Sequence, residues 1–171
     1  MAEFGWGLLD VSINPGGSGS AAKPIVQAGE KGTAVGLKWT ADLPAPVLSG
    51  DTAAYSEVLP GVDLTVKAAV EGYTENLVIK TPEAAKNPQL HDVPFGLYAH
   101  NATVTAKQGD GRGTPARSTP TDGLEVRNPK GEVMFAGDAS RMWDSSGAGS
   151  AAEQQLGEGG GRRGRGLYRR S

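Results

Sequence analysis

The sequence predicts an all-β fold: an antiparallel β-sandwich of about nine or ten short strands, with one short helical turn and a disordered C-terminal tail. Three observations carry this. Short apolar segments alternate with period two. Turn signals separate them, with Gly (26) and Pro (11) together exceeding a fifth of the 171 residues. The only helix signal spans little more than a turn, which leaves sheets to build the core. Strand counting alone does not separate a sandwich from a closed barrel.

The elements follow in order. Leu8–Ile13 is a strand with Leu9, Val11 and Ile13 on one face. Asn14–Ser20 (NPGGSGS) cannot continue it and forms a loop. Pro24–Ala28 is a short strand and Gly29–Gly32 a turn. Thr33–Trp39 sets Val35, Leu37 and Trp39 against Ala34, Gly36 and Lys38, the mark of a half-buried strand. Leu43–Gly50 contains Pro44 and Pro46, which exclude it from the middle of a sheet. It crosses between strands in extended form.

Tyr55–Leu59 is a strand stopped by Pro60-Gly61. Val62, Leu64, Val66 and Ala68 then alternate with Asp63, Thr65 and Lys67. Glu71-Gly72 turns the chain into Tyr73–Lys80. Thr81 caps a short helix, Pro82 suits its first position, and Asn87-Pro88 ends it. Phe95–His100 and Ala102–Lys107 are two strands or one bent strand, and Gln108–Asp122 is a long polar loop. Gly123–Asn128 and Glu132–Ala136 form a hairpin, followed by Arg141–Asp144. The division is a β-sandwich module over 1–146 and a disordered Gly/Ser/Arg-rich tail over 147–171.

Composition excludes several chemistries. The chain has no cysteine, so disulfides, thiolate nucleophiles and cysteine-held metals are absent. The net charge of −2 hides an asymmetry, because the last ten residues hold five Arg and no acid while residues 1–161 balance at −7. No run of about 18 apolar residues occurs to span a membrane. The first ten residues, MAEFGWGLLD, lack the basic and apolar regions of a signal peptide.

Among candidate site residues, Asp63, Glu71 and Glu75 fall within thirteen positions. A glycosidase-like reaction needs two converging carboxylates, here Asp63 and Glu75. Asp63 lies on a polar strand face and Glu71 in a turn, and only Glu75 shares a face with apolar residues. The pattern favours hairpin carboxylates that keep one face wet. His91 and His100, the only histidines, have no metal-ligand spacing, and Asp10 and Asp51 lie in no calcium-loop motif. No catalytic residue, metal ligand or cofactor is assigned.

Trp39 and Phe135 occupy apolar faces and are expected in the core. Tyr73 and Tyr98 are the rings best placed for exposure, and so the candidate ligand-binding residues for a polysaccharide. For the aromatic set as a whole, which also includes Trp6, Trp143, Phe4, Phe95, Tyr55 and Tyr168, core or rim packing is favoured over a carbohydrate platform. The tail GGGRRGRGLYRRS is a single RGG-like copy beside an acidic module, a weak basis for nucleic-acid binding. Asn101-Ala102-Thr103 matches a glycosylation sequon.

Three stretches, YSEVLPGVD (Tyr55–Asp63), VIKTPEAAKNP (Val78–Pro88) and MWDSSG (Met142–Gly147), resemble a β-rich segment of large secreted actinobacterial multidomain proteins. That segment lies beside LamG-like jelly-roll, DNRLRE-type or RHS-type domains. The resemblance covers roughly Leu8 to Gly147. It implies a non-catalytic extracellular or cell-surface module, a spacer or packing partner for neighbouring domains, with carbohydrate binding as the alternative. It also implies a piece of a longer protein, and it carries no catalytic residues.

Overall fold

The computed structural model describes residues 2–6, 9–108, 121–138, 141–144, 149–151 and 161–169. For 2–6, 106–108, 121, 122, 138 and every position beyond, it describes backbone only. Two antiparallel sheets face one another. The first has the order β1-β2-β3-β4-β9, from β1 (Ala2–Trp6), β2 (Leu9–Ile13), β3 (Val26–Glu30), β4 (Thr33–Lys38) and β9 (Gly96–His100). The second has the order β10-β11-β12-β15-β8-β7-β6-β5. Its strands are β5 (Val47–Ser49), β6 (Thr52–Leu59), β7 (Val62–Ala69), β8 (Gly72–Ile79), β10 (Thr103–Gln108), β11 (Thr121–Arg127), β12 (Val133–Asp138) and β15 (Gly161–Arg169). Two further strands, β13 (Arg141–Asp144) and β14 (Gly149–Ala151), pair with each other, and β13 also pairs with β15.

Alternation explains the core. Leu9, Val11, Ile13, Val26, Ala28, Val35 and Leu37 line the first sheet's inner face. Tyr55, Leu64, Val66, Tyr73, Leu77, Ile79, Val126 and Phe135 line the second. Both sets join one buried cluster. Trp39 is buried in it and meets Phe95 edge-to-face at 5.4 Å between ring centres. Gly36 has a steric reason, because a Cβ there would meet the Val26 carbonyl oxygen across the β3–β4 pair.

The sheets are tied by one polar hub. Asn14 is buried where β2 ends, and its Nδ2 donates to the carbonyls of Ser20 (3.0 Å) and Pro24 (3.1 Å). Its Oδ1 accepts the Gly16 N–H at 2.9 Å, a side-chain turn that explains why Asn opens NPGGSGS. From the opposite sheet the Tyr55 hydroxyl donates to the Asn14 carbonyl. Burial pushes that hydroxyl's pKa up, so it stays a donor. Asp42 closes the same loop by accepting from the Gly19 and Ala21 N–H groups at 3.0 and 2.9 Å.

The helix forms where its cap signal lies. Thr81 Oγ1 accepts the Ala84 N–H at 3.1 Å, and α1 runs over Pro82–Ala85. Elsewhere the structure differs from the sequence reading. A strand β5 sits within Leu43–Gly50; it is three residues long, at a sheet edge, and follows the prolines, which is where proline is tolerated. β3 extends to Glu30, and the turn contracts to Lys31-Gly32, both with positive φ (51° and 79°), as a tight hairpin requires.

Disorder is predicted from Gly147 onward; the described residues in that span are β14 and β15, and β15 pairs with both β8 and β12, while 147 and 148 lie outside the described residues. Strand addition uses backbone N–H and C=O groups, which a Gly/Arg segment supplies as well as any other. Apolar periodicity therefore does not announce it. The sheet consequently crosses the boundary that composition places at residue 147, and residues 152–160, 170 and 171 lie outside the described residues.

Removing the Tyr55 hydroxyl with Tyr55→Phe should cost about 1–3 kcal/mol, since the Asn14 carbonyl loses a buried donor. Asn14→Ala should cost more, because three loop bonds go with it. Urea unfolding with an unchanged m-value checks both.

Candidate functional site

The most distinctive sequence motifs meet in one place. β6 is interrupted between Tyr55 and Leu59, where its register with β7 shifts. Glu57 occupies the left-handed region there, with φ of 55°, a conformation that costs energy for a residue with a Cβ. Its N–H donates to Asp63 Oδ1 at 2.8 Å, and its carboxylate accepts the Gly61 N–H at 2.8 Å. The Lys80 ammonium pairs with Glu57 and lies 2.9 Å from Asp63 Oδ1. Gly61 has φ of 72°, and a Cβ there would press on Ala84 of α1. YSEVLPGVD and VIKTPEAAKNP are therefore the two halves of one clamp that joins the β6–β7 turn to β8 and the helix.

Electrostatics follow from these contacts. The hydrogen bond from Lys80, then the Gly61 N–H, holds Glu57 below the usual carboxylate range. For Asp63, burial acts to raise the pKa, but the Glu57 N–H and Lys80 together outweigh it and the net shift is downward. Lys80 is raised by its bonds to Glu57 and Asp63. All three groups stay charged through neutral pH and hold the turn closed.

A second feature is a polar hollow of about 450 Å³ beside the β3–β4 turn. Asp10, Ser12, Gln27, Glu30, Thr33 and His100 line it, with Lys31 at the rim. Glu30 is only 3% exposed, and Lys31 Nζ stands 3.4 Å from its carboxylate. Asn101, with φ of 47°, donates its Nδ2 to the Gly32 carbonyl at 3.0 Å and lies 3.2 Å from the His100 ring. The hollow thus offers carboxylate, hydroxyl, amide and imidazole groups, suited to a hydroxyl-bearing ligand. A smaller cleft of about 200 Å³ runs over Trp39, Thr40, Leu59, Gln89, Asp92, Val93 and Pro94.

The residues singled out from sequence are dispersed. Asp63 belongs to the clamp, Glu71 is exposed in the β7–β8 turn, and Glu75 is 4% exposed on the inner face of β8. In register Glu75 stands opposite Val66 on one side and Arg165 on the other. His91 and His100 are exposed on separate elements, and only His100 reaches the hollow. Asp10 lines the hollow, while Asp51 lies 3.6 Å from Lys67 and accepts the Thr52 hydroxyl. Among the described residues no three of His, Asp and Glu gather in a way that could hold a metal ion.

The aromatic expectation needs correction. Tyr73, expected to be exposed, is 1% exposed, because it lies on the inner face of β8 with Leu77 and Ile79 and packs into the core. Tyr98 is half-buried on β9 in the other sheet, so the two rings form no shared platform. Trp39 and Phe135 are in the core as expected. The side chains of Phe4, Trp6, Trp143 and Tyr168 lie outside the described residues.

Sequence reasoning passed over Glu30, Glu57, Lys80 and Asp42. A signal existed for Glu30, which continues the period of Val26 and Ala28. None existed for Glu57, whose backbone conformation depends on contacts from β7 and β8. Comparison of the chain with family models, with curated proteins and with solved structures returns no match.

The clamp has a pH signature. Lowered carboxylate pKa values in the folded state add stability above the unfolded values, and that stability is lost as pH falls through the folded ones. A raised lysine pKa adds stability below the ordinary lysine value that is lost as pH rises through the folded one. The melting temperature should therefore fall below the carboxylate range and above the lysine range. Asp63→Asn should flatten the acid limb and Lys80→Met the alkaline limb, both measured by calorimetry across pH.

Proposed function

We propose that this chain is a non-catalytic β-module of a secreted or cell-surface protein, acting as a spacer or packing partner for neighbouring domains. One observation carries the reading: the acids of the best-patterned segment are spent on structure. Asp63 and Glu57 hold the β6–β7 turn through Lys80, Glu71 lies in a turn, and Glu75 faces the core. The resemblance of YSEVLPGVD and VIKTPEAAKNP to segments of secreted multidomain proteins supports the same reading. Among the described residues no helix is long and apolar enough to cross a membrane.

The polar hollow favours a second reading, a carbohydrate-binding module that recognises sugar hydroxyls by hydrogen bonds rather than by ring stacking. Among the described residues no aromatic side chain lines the hollow.

Calorimetry tests the first reading: one cooperative unfolding transition is expected of a self-standing module. A broad, non-cooperative profile would remove that reading. For the second, amide and imidazole NMR signals are followed while soluble plant and bacterial polysaccharides are added. Shifts confined to Asp10, Gly29–Thr33 and His100, and lost in His100→Ala, are expected. Shifts absent throughout, or centred elsewhere, would sink it.

A further inference from the structure

We propose that the free edge of β9 pairs with the β9 of a second copy, giving a two-fold dimer in which the five-stranded sheet continues from one molecule into the next. β9 closes the first sheet and, among the described residues, pairs only with β4. No described strand pairs with its other edge, whose backbone N–H and C=O groups are a template for another strand. Gly96, Leu97, Ala99 and His100 are exposed and Tyr98 is half-buried.

Both edges of the second sheet carry protection that β9 lacks. β5 is three residues long and follows Pro44 and Pro46. β10 contains Lys107 and a register shift at Lys107/Gln108. β9, with sequence GLYAH, contains no Lys, Arg, Asp, Glu or Pro and runs in unbroken register with β4. Unprotected edges of this kind are the ones that recruit a partner strand.

The register selects the occupant. Leu97 and Ala99 stand opposite Leu37 and Val35, whose side chains are buried in the core, so they occupy the same inner face. Leu97 is nevertheless 46% exposed. An antiparallel mate centred on Tyr98 sets Leu97 against Ala99 of the second copy, Tyr98 against Tyr98, and Gly96 against His100. The Leu97–Ala99 pairs stay on the inner face and the Tyr98–Tyr98 and Gly96–His100 pairs on the outer, and no like charges meet. A slip of one residue would turn the apolar positions outward, so the pattern disfavours it. A strand bearing charge finds no counter-charge on β9, whereas an identical strand finds its own complement. The dimer does not depend on whether the hollow holds a saccharide.

The test uses the full chain. Sedimentation velocity over about 1–100 µM should show the mass rising towards twice that of one chain, and Leu97→Lys should weaken the association at least about tenfold. Tyr98→Cys gives an independent readout: the chain has no other cysteine, so any disulfide must join two molecules. Tyr98→Cys should oxidise to a covalent dimer much faster than Val70→Cys, whose position is 65% exposed in the β7–β8 turn. A wild-type chain that stays monomeric over this range, a Leu97→Lys variant that associates equally well, or equal oxidation of the two cysteine variants would each overturn the proposal.

Discussion

The bond from the Tyr55 hydroxyl to the Asn14 carbonyl joins the two sheets at a point where neither could close alone. β2 ends at Ile13, and the chain must then loop back to form β3. Loop backbone groups buried beneath the sandwich need partners, because an orphaned polar group there costs about 1–3 kcal/mol. Asn14 supplies most of them from one side chain, and Tyr55 satisfies Asn14's own carbonyl from across the core. Asp42 and the Ser20 hydroxyl finish the loop, with the Leu43 N–H donating to Ser20 Oγ at 2.7 Å. The connection into β6 is thereby anchored to the start of β3, and the facing of the two sheets follows.

A second constraint acts at the other end of β6. Glu57 takes a backbone conformation that a residue with a Cβ avoids, and it is held there by Asp63, Gly61 and Lys80. A strained residue fixed by surrounding bonds often marks function. Here the same atoms explain it structurally, since the carboxylates are occupied by backbone donors and an ammonium. The motif that first suggests an acidic site turns out to describe a turn, a strand start and a helix dock in one stretch.

Edges govern what the molecule can meet. β8 and β12 share β15, a Gly/Arg strand whose pairing is made by backbone groups. Tyr73 and Glu75 lie buried on the inner face of β8, so Tyr73 belongs to no exposed aromatic platform. Among the described residues β9 pairs on one side only, and it lies beside the polar hollow near the β3–β4 turn, with His100 belonging to both.

Sequence by itself determined the fold class, most strand positions, the inner faces of β2, β4, β7 and β8, the core placement of Trp39 and Phe135, and the capped helix at Thr81. Each is a local property, because period-two alternation and cap chemistry are read within a few residues. The tertiary structure decided the rest. Glu30 and Asp10 meet His100 only because β9 pairs beside β4, some sixty residues later in the chain. Glu57 is strained only because Lys80 and Asp63 arrive from other strands. β15 is a strand only because two sheet edges flank it. Long-range pairing selects partners through backbone hydrogen bonds, which every residue but proline carries alike, and no side-chain pattern within one segment records which partner it will find.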